Sequence, residues 1–207
     1  MKRIEITDLA CQRGGRTLFS QLDYSINTGQ TLRLVGPNGC GKTSLLRTIA
    51  GRLRLQHGQI LYDGKQLTPE DTLYLDHKSL TKDALTVQEN LQFWADIFQA
   101  TPDQLKSAYQ HMGLTNLSLL PAGTLSSGQK KRVQLALLCL QQAPIWLLDE
   151  PLLSLDKTYA QRLGDLVQTH LGHGGIVIYA SHEPIPNLKE KELDISAQGH
   201  ENVRHAA

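Results

Sequence analysis

Apolar and polar side chains alternate along three early stretches, residues 2–7, 22–27 and 58–63, each closed by Asn or Asp. A period of two between turn-forming residues predicts half-buried strands. A second kind of strand follows the turn Thr28-Gly29-Gln30. Residues 31–35 are apolar at most positions, and 145–148 and 176–180 repeat that composition late in the chain. Such runs suit a parallel sheet covered on both faces. Each is followed by polar residues, at the edge where open α/β sheets hold ligands.

A helical region lies between, from about residue 80 to 142. Thr86-Val87-Gln88-Glu89 and Ser126-Ser127-Gly128-Gln129 have the form of capping boxes. The first opens an amphipathic run to about residue 98, in which Leu91, Trp94 and Phe98 share one face and are expected to be buried. The second opens a run to residue 142. The pattern predicts one domain over 1–207, an α/β fold with a mixed sheet core (1–79 and 143–207), an N-terminal antiparallel β portion and an inserted helical subdomain (80–142).

The 207 residues carry 21 basic and 20 acidic side chains. This balance gives no bulk attraction to nucleic acid or anionic lipid, so binding must come from a local site. The longest apolar run, 135–140, is far short of the roughly 20 residues of a membrane-spanning helix. Residues 1–8 alternate charged and apolar positions and read as a strand, not a secretory signal. Cys11, Cys40 and Cys139 are odd in number and widely spaced, without a CxxC or zinc pattern, which suits a reducing setting.

Chemistry concentrates at three strand ends. Gly36-Pro37-Asn38-Gly39-Cys40-Gly41-Lys42-Thr43-Ser44 fits GxxxxGK[ST] between a buried strand and a helix carrying Leu45, Leu46, Ile49 and Leu53. Glycines let successive N–H groups face the oxygens of a polyphosphate such as ATP, and the helix N-terminus adds partial positive charge. Lys42 supplies a cation to the β- and γ-phosphates, and Thr43 is placed to bind Mg²⁺. Residues 145–148 run into Asp149 and Glu150. Asp149 is expected to hold Mg²⁺ through water, and Glu150 to orient or deprotonate an attacking water. His182 follows the strand 176–180 and reaches the same edge, within contact of a γ-phosphate. His170 and His173 share a helix face and, without a third ligand, are expected to be solvated.

Leu125-Ser126-Ser127-Gly128-Gln129-Lys130-Lys131-Arg132 is a capped helix start, a second anion site in a chain that needs one phosphate loop per ATP. These residues resemble the LSGGQ signature of ATP-binding cassette (ABC) proteins. The order of phosphate loop, helical region, signature, Asp-Glu strand, Ser154-Leu155-Asp156 and His182 matches that family from about residue 4 to 184. The resemblance implies an ATPase of P-loop ABC type in which two copies close head to tail. Each ATP would lie between one phosphate loop and the partner copy's signature, Ser126, Ser127, Gly128 and Gln129, with Asp156 contributing nearby. Glu150, His182 and Lys42 would be catalytic.

Three phrases, residues 11–19, 85–91 and 174–178, resemble the haem-exporter cassettes of bacterial cytochrome c maturation. That likeness implies a peripheral subunit on the cytoplasmic face of the inner membrane, working with CcmB/CcmC-like integral membrane subunits in haem export or release of a haem-loaded chaperone. The chain departs from the general cassette pattern at three places. Arg13 or Cys11 stands where an adenine-stacking aromatic is usual. His77 replaces a glutamine and could reach the Mg²⁺ site or a coupling contact. Ser127 takes the place of a glycine.

Cys40 sits between a helix N-terminus and Lys42, a setting that makes a thiol nucleophilic, although filling a tight loop is its simpler role. A maleimide is expected to inhibit ATP hydrolysis by alkylating Cys40, with ATP protecting. Unchanged activity after labelling confirmed by peptide mapping would reject this.

Overall fold

The computed structural model describes residues 2–14, 16–77 and 80–197, apart from the side chains of Arg13, Arg16 and Ala197. Two sheets organise them. Strands β1 (Arg3–Arg13), β2 (Arg16–Asn27), β4 (His57–Tyr62) and β5 (Lys65–Gln66) form an antiparallel sheet in the order β2-β1-β4-β5. Strands β3 (Thr31–Val35), β6 (Thr72–Leu75), β7 (Ile145–Asp149), β8 (Ile176–Ala180) and β9 (Glu190–Asp194) form a parallel sheet in the order β6-β7-β8-β3-β9.

Burial on both faces explains the continuous apolar runs. Ile145 and Leu147 of β7 point into a core shared with α1 (Lys42–Ile49) and the antiparallel sheet. Trp146 and Leu148, on the other face, enter a core built with α2 (Val87–Phe98), α3 (Pro102–His111), α4 (Ser127–Ala136) and α5 (Lys157–Gly172). Strand β8 divides likewise, with Ile176 and Ile178 on one side and Val177 and Tyr179 on the other. The two-residue period of a strand thus joins two cores through one sheet.

Both capping boxes form. Thr86 accepts from the Glu89 N–H while the Glu89 carboxylate accepts from the Thr86 N–H, and Ser126 and Gln129 pair in the same way. Leu91 is fully buried, and Trp94 and Phe98 pack half-buried against the same core, stacked with ring centroids 5.5 Å apart. The run opened by Ser126 is shorter as an α-helix than its pattern suggests: α4 ends at Ala136 and continues as a 3₁₀ turn over Leu137–Cys139. Leu53 lies beyond α1, which ends at Ile49, yet still packs on the core.

The expectation that His170 is solvated is wrong. Its ring stacks on the Trp146 indole with centroids 3.8 Å apart and planes 5° from parallel. Helix α5 turns this face toward the sheet, so the ring gains apolar contact and loses water. Burial pushes its pKa down from 6.5 to about 4. The unfolded chain therefore binds a proton that the native chain refuses, and stability is lost as pH falls from about 6.5 towards 4. The melting temperature of His170→Phe, which keeps an aromatic stack, is expected to fall less steeply over that interval than wild type. Parallel curves of melting temperature against pH would refute the assignment.

Candidate active site

Because β3, β7 and β8 are parallel, the segments that follow them open at one edge of the sheet. The loop after β3 carries Gly36, Pro37, Asn38, Gly39, Cys40 and Gly41, with Pro37, Asn38 and Gly39 exposed. Gly41 precedes α1 at φ 118°, where a Cβ would stand 3.2 Å from the Phe19 ring, so both conformation and space call for glycine. Cys40 is half-buried and its Sγ lies 2.8 Å from where a Cβ on Gly36 would stand, a packing position beneath the loop. Cys11 is buried, and burial pushes the Cys139 thiol up to about 11, so both are poor nucleophiles.

Lys42, only 8% exposed, curls over its own loop and donates to the Gly36 carbonyl at 2.6 Å and the Pro37 carbonyl at 3.2 Å. Thr43 Oγ1 stands 3.0 Å from both carboxylate oxygens of Asp149 at the tip of β7. Ser44 is buried behind them. Glu150 adopts a left-handed backbone at φ 48°, and its N–H donates to the Ala180 carbonyl at 2.9 Å. Its Oε1 is 3.9 Å from His182 Nε2, on a side chain that is mostly exposed. Lys42, Thr43, Ser44, Asp149 and Glu150 border a cleft of about 790 Å³, whose lining does not include His182.

His77 belongs to the same cluster. Its Nδ1 lies 2.6 Å from Asp76 Oδ1 and 3.2 Å from Asp149 Oδ2. Arg47 NH2 holds the other Asp76 oxygen at 2.9 Å, and its Nε reaches the Tyr74 hydroxyl at 3.3 Å. Arg13, offered for adenine stacking, has its side chain outside the described residues, and Cys11 is too deeply buried to stack on a base.

Ser126, Ser127, Gly128 and Gln129 lie in a separate cleft of about 430 Å³, facing Ser154, Leu155 and Asp156. A Cβ on Gly128 would come 2.6 Å from the Ser154 carbonyl oxygen, so glycine is required for this close approach. The Ser126 and Gln129 side chains are engaged in their mutual cap. Asp156 caps α5, accepting from the Tyr159 N–H at 3.0 Å.

Two contributors were missed in the sequence. Asp76 follows a strand that was not singled out; its signal was an acidic residue beside His77. Lys131, the second of three successive basic residues in the signature segment, is only 8% exposed. Burial pushes its pKa down to about 8, partly opposed by the Asp149, Glu150 and Asp76 carboxylates.

Residues 19–153 match the model of the ABC transporter family. The cytochrome c biogenesis ATP-binding export protein CcmA of Rhodopseudomonas palustris (strain BisB5) is 43% identical over 192 residues, covering 91% of this chain and 96% of the relative. The protein of the same name from Haemophilus influenzae is 39% identical over 203 residues, covering 94% and 96%. Among solved structures, a putative ABC transporter ATP-binding protein from Pyrococcus furiosus superposes with a TM-score of 0.83 at 26% identity, covering 95% of this chain and 98% of that one. A phosphate loop beside a buried Asp-Glu strand end, a capped signature helix and relatives matched over nearly their whole length lead to one conclusion: the chain belongs to the ABC transporter ATP-binding family, with the CcmA cytochrome c biogenesis export proteins.

Proposed function

We propose that this protein is the ATP-hydrolysing subunit of a membrane ABC transporter that serves cytochrome c biogenesis, through haem export or release of a haem-loaded chaperone. The observation that carries the ATPase reading is the convergence of Lys42, Thr43, Asp149 and Glu150 on one cleft from two strands that are not neighbours. Lys42 would exchange the Gly36 and Pro37 carbonyls for the β- and γ-phosphate oxygens. Backbone N–H groups of the loop from Gly36 to Thr43, and of Ser44 at the start of α1, would face the polyphosphate.

The hydroxyl of Thr43 and the carboxylate of Asp149 are hard oxygen donors 3.0 Å apart, a set that suits Mg²⁺. Bound there, the ion would neutralise charge on the phosphates. Glu150 would hold the attacking water and accept its proton, with His182 Nε2 3.9 Å from its carboxylate.

The signature residues lie in a second cleft apart from the phosphate loop, which supports a nucleotide shared between two copies placed head to tail. Ser127 would add a hydroxyl next to the partner copy's phosphates.

Among the described residues no helix is long and apolar enough to cross a membrane. The export role in the names of the relatives supports separate CcmB/CcmC-like subunits as the channel. Phe93 and Ile97 of α2, 37% and 52% exposed, are candidates for that contact. The cassette would then sit peripherally on the cytoplasmic face of the inner membrane. The names of the relatives support the cytochrome c assignment.

Glu150→Gln is expected to retain Mg-ATP binding while turnover drops at least about 100-fold, the scale for losing a general base. With saturating Mg-ATP and the membrane subunits, the same variant should trap two cassettes in cross-linking distance. Wild-type turnover in Glu150→Gln would overturn the catalytic assignment, and no pairing would overturn the shared-nucleotide reading. Haem content of the complex purified with its membrane subunits tests the cargo.

A further inference from the structure

A charged residue stands in the middle of a strand covered on both faces. Leu32 and Leu34 of β3 enter the core beside α1, while Arg33 between them faces the other way, its side chain only 12% exposed. A guanidinium removed from water must find acceptors, and the sheet register supplies them. Arg33 is paired with Tyr179 of β8 on one side and with Glu192 of β9 on the other. Its Nε lies 2.8 Å from Glu190 Oε1, an ion pair without hydrogen-bond alignment, and NH2 donates to Glu192.

The remaining nitrogen goes elsewhere. NH1 donates to the main-chain carbonyl of His182 at 3.2 Å. The same cluster meets the chain again three residues on: the Ile185 N–H donates to the Tyr179 hydroxyl at 3.0 Å, and that hydroxyl donates to Glu190. One network of Arg33, Tyr179 and Glu190 thereby holds the segment from His182 to Ile185 at both ends. Between them Ser181 Oγ accepts from the Glu183 N–H at 3.3 Å. The His182 side chain is 62% exposed, so this backbone, rather than packing, sets where its ring stands beside Glu150. Glu150 is tied to the same strand end, because its N–H donates to the Ala180 carbonyl.

We propose that Arg33 is a positioning residue for hydrolysis: through the His182 carbonyl it fixes the backbone from which the imidazole approaches the water held by Glu150. The inference rests on the catalytic reading of His182 and Glu150. A guanidinium suits the task because its planar fork serves several acceptors at fixed angles, where an ammonium is a single point charge. Nucleotide binding belongs to the loop after β3, so loss of this network acts on turnover and not on affinity for ATP.

Arg33→Met alone leaves Glu190 buried without its counter-ion, so the test pairs it with Glu190→Gln, whose amide oxygen still accepts from Tyr179. In full-length protein assembled with its membrane subunits, Arg33→Met/Glu190→Gln is expected to lower kcat about tenfold, with KM for ATP within about twofold of wild type. In a His182→Ala background the pair should cause no further loss. Hydrogen–deuterium exchange across residues 181–185 should quicken about tenfold, with residues 36–44 unchanged. Wild-type kcat in the paired variant, equal losses with and without His182, or unchanged exchange at 181–185 would overturn the positioning role while leaving the ATPase reading intact. Wild-type turnover in His182→Ala alone would overturn the catalytic reading of His182, and this inference with it.

Discussion

A carboxylate taken out of water must find donors or give up its charge, and Asp149 is 2% exposed at the end of β7. Thr43 meets both of its oxygens at 3.0 Å and His77 stands 3.2 Å from one. These partners come from the start of α1 and the segment after β6, so satisfying one buried group fixes three parts of the chain at a common point. The phosphate loop inherits its position from that demand. Lys42 and Thr43 are consecutive on α1, and the helix packs against β7 and β8. Loop placement and electrostatics are therefore one problem with one solution.

The helical portion is tied to the same point. Gln134 and Lys131 lie one turn apart on α4, the first bonded to the Asp76 carbonyl and the second buried near the acidic cluster. The other end of α4 begins at the Ser126 cap in the second cleft. A ten-residue helix, about 15 Å long, thus runs from the second cleft towards the acidic cluster beside the first. Between those two ends the helix is anchored in the core through Val133 and Leu135.

Much of this was legible in the chain because the signals are local. Thr86 and Ser126 announced their helices through the spacing of cap and partner, and the strands at 31–35 and 176–180 through composition alone. The loop from Gly36 to Ser44 identified its chemistry by glycine spacing. What escaped depended on long-range packing. Strand β9 carries Glu190, Lys191, Glu192 and Asp194, a polar edge with no apolar run; it is held by pairing with β3 and by Arg33 bridging Glu190 and Glu192. His170 gave no local sign that α5 would turn it onto Trp146. Lys131 differs from Lys130 only in the direction it faces, and Lys130 pairs with the mostly exposed Asp83. Sequence spacing shows which residues neighbour one another on a helix, but the fold decides which face is dry.

Glu150 sits where few side chains rest comfortably, at φ 48° directly after a fully buried strand. Glycine or asparagine would occupy that backbone at less conformational cost. Selection for stability alone would thus drift away from glutamate at this turn, and under the role proposed for Glu150, variants that lose the reaction there would gain in robustness. The strongest folders among mutants of this chain should include some of its poorest catalysts.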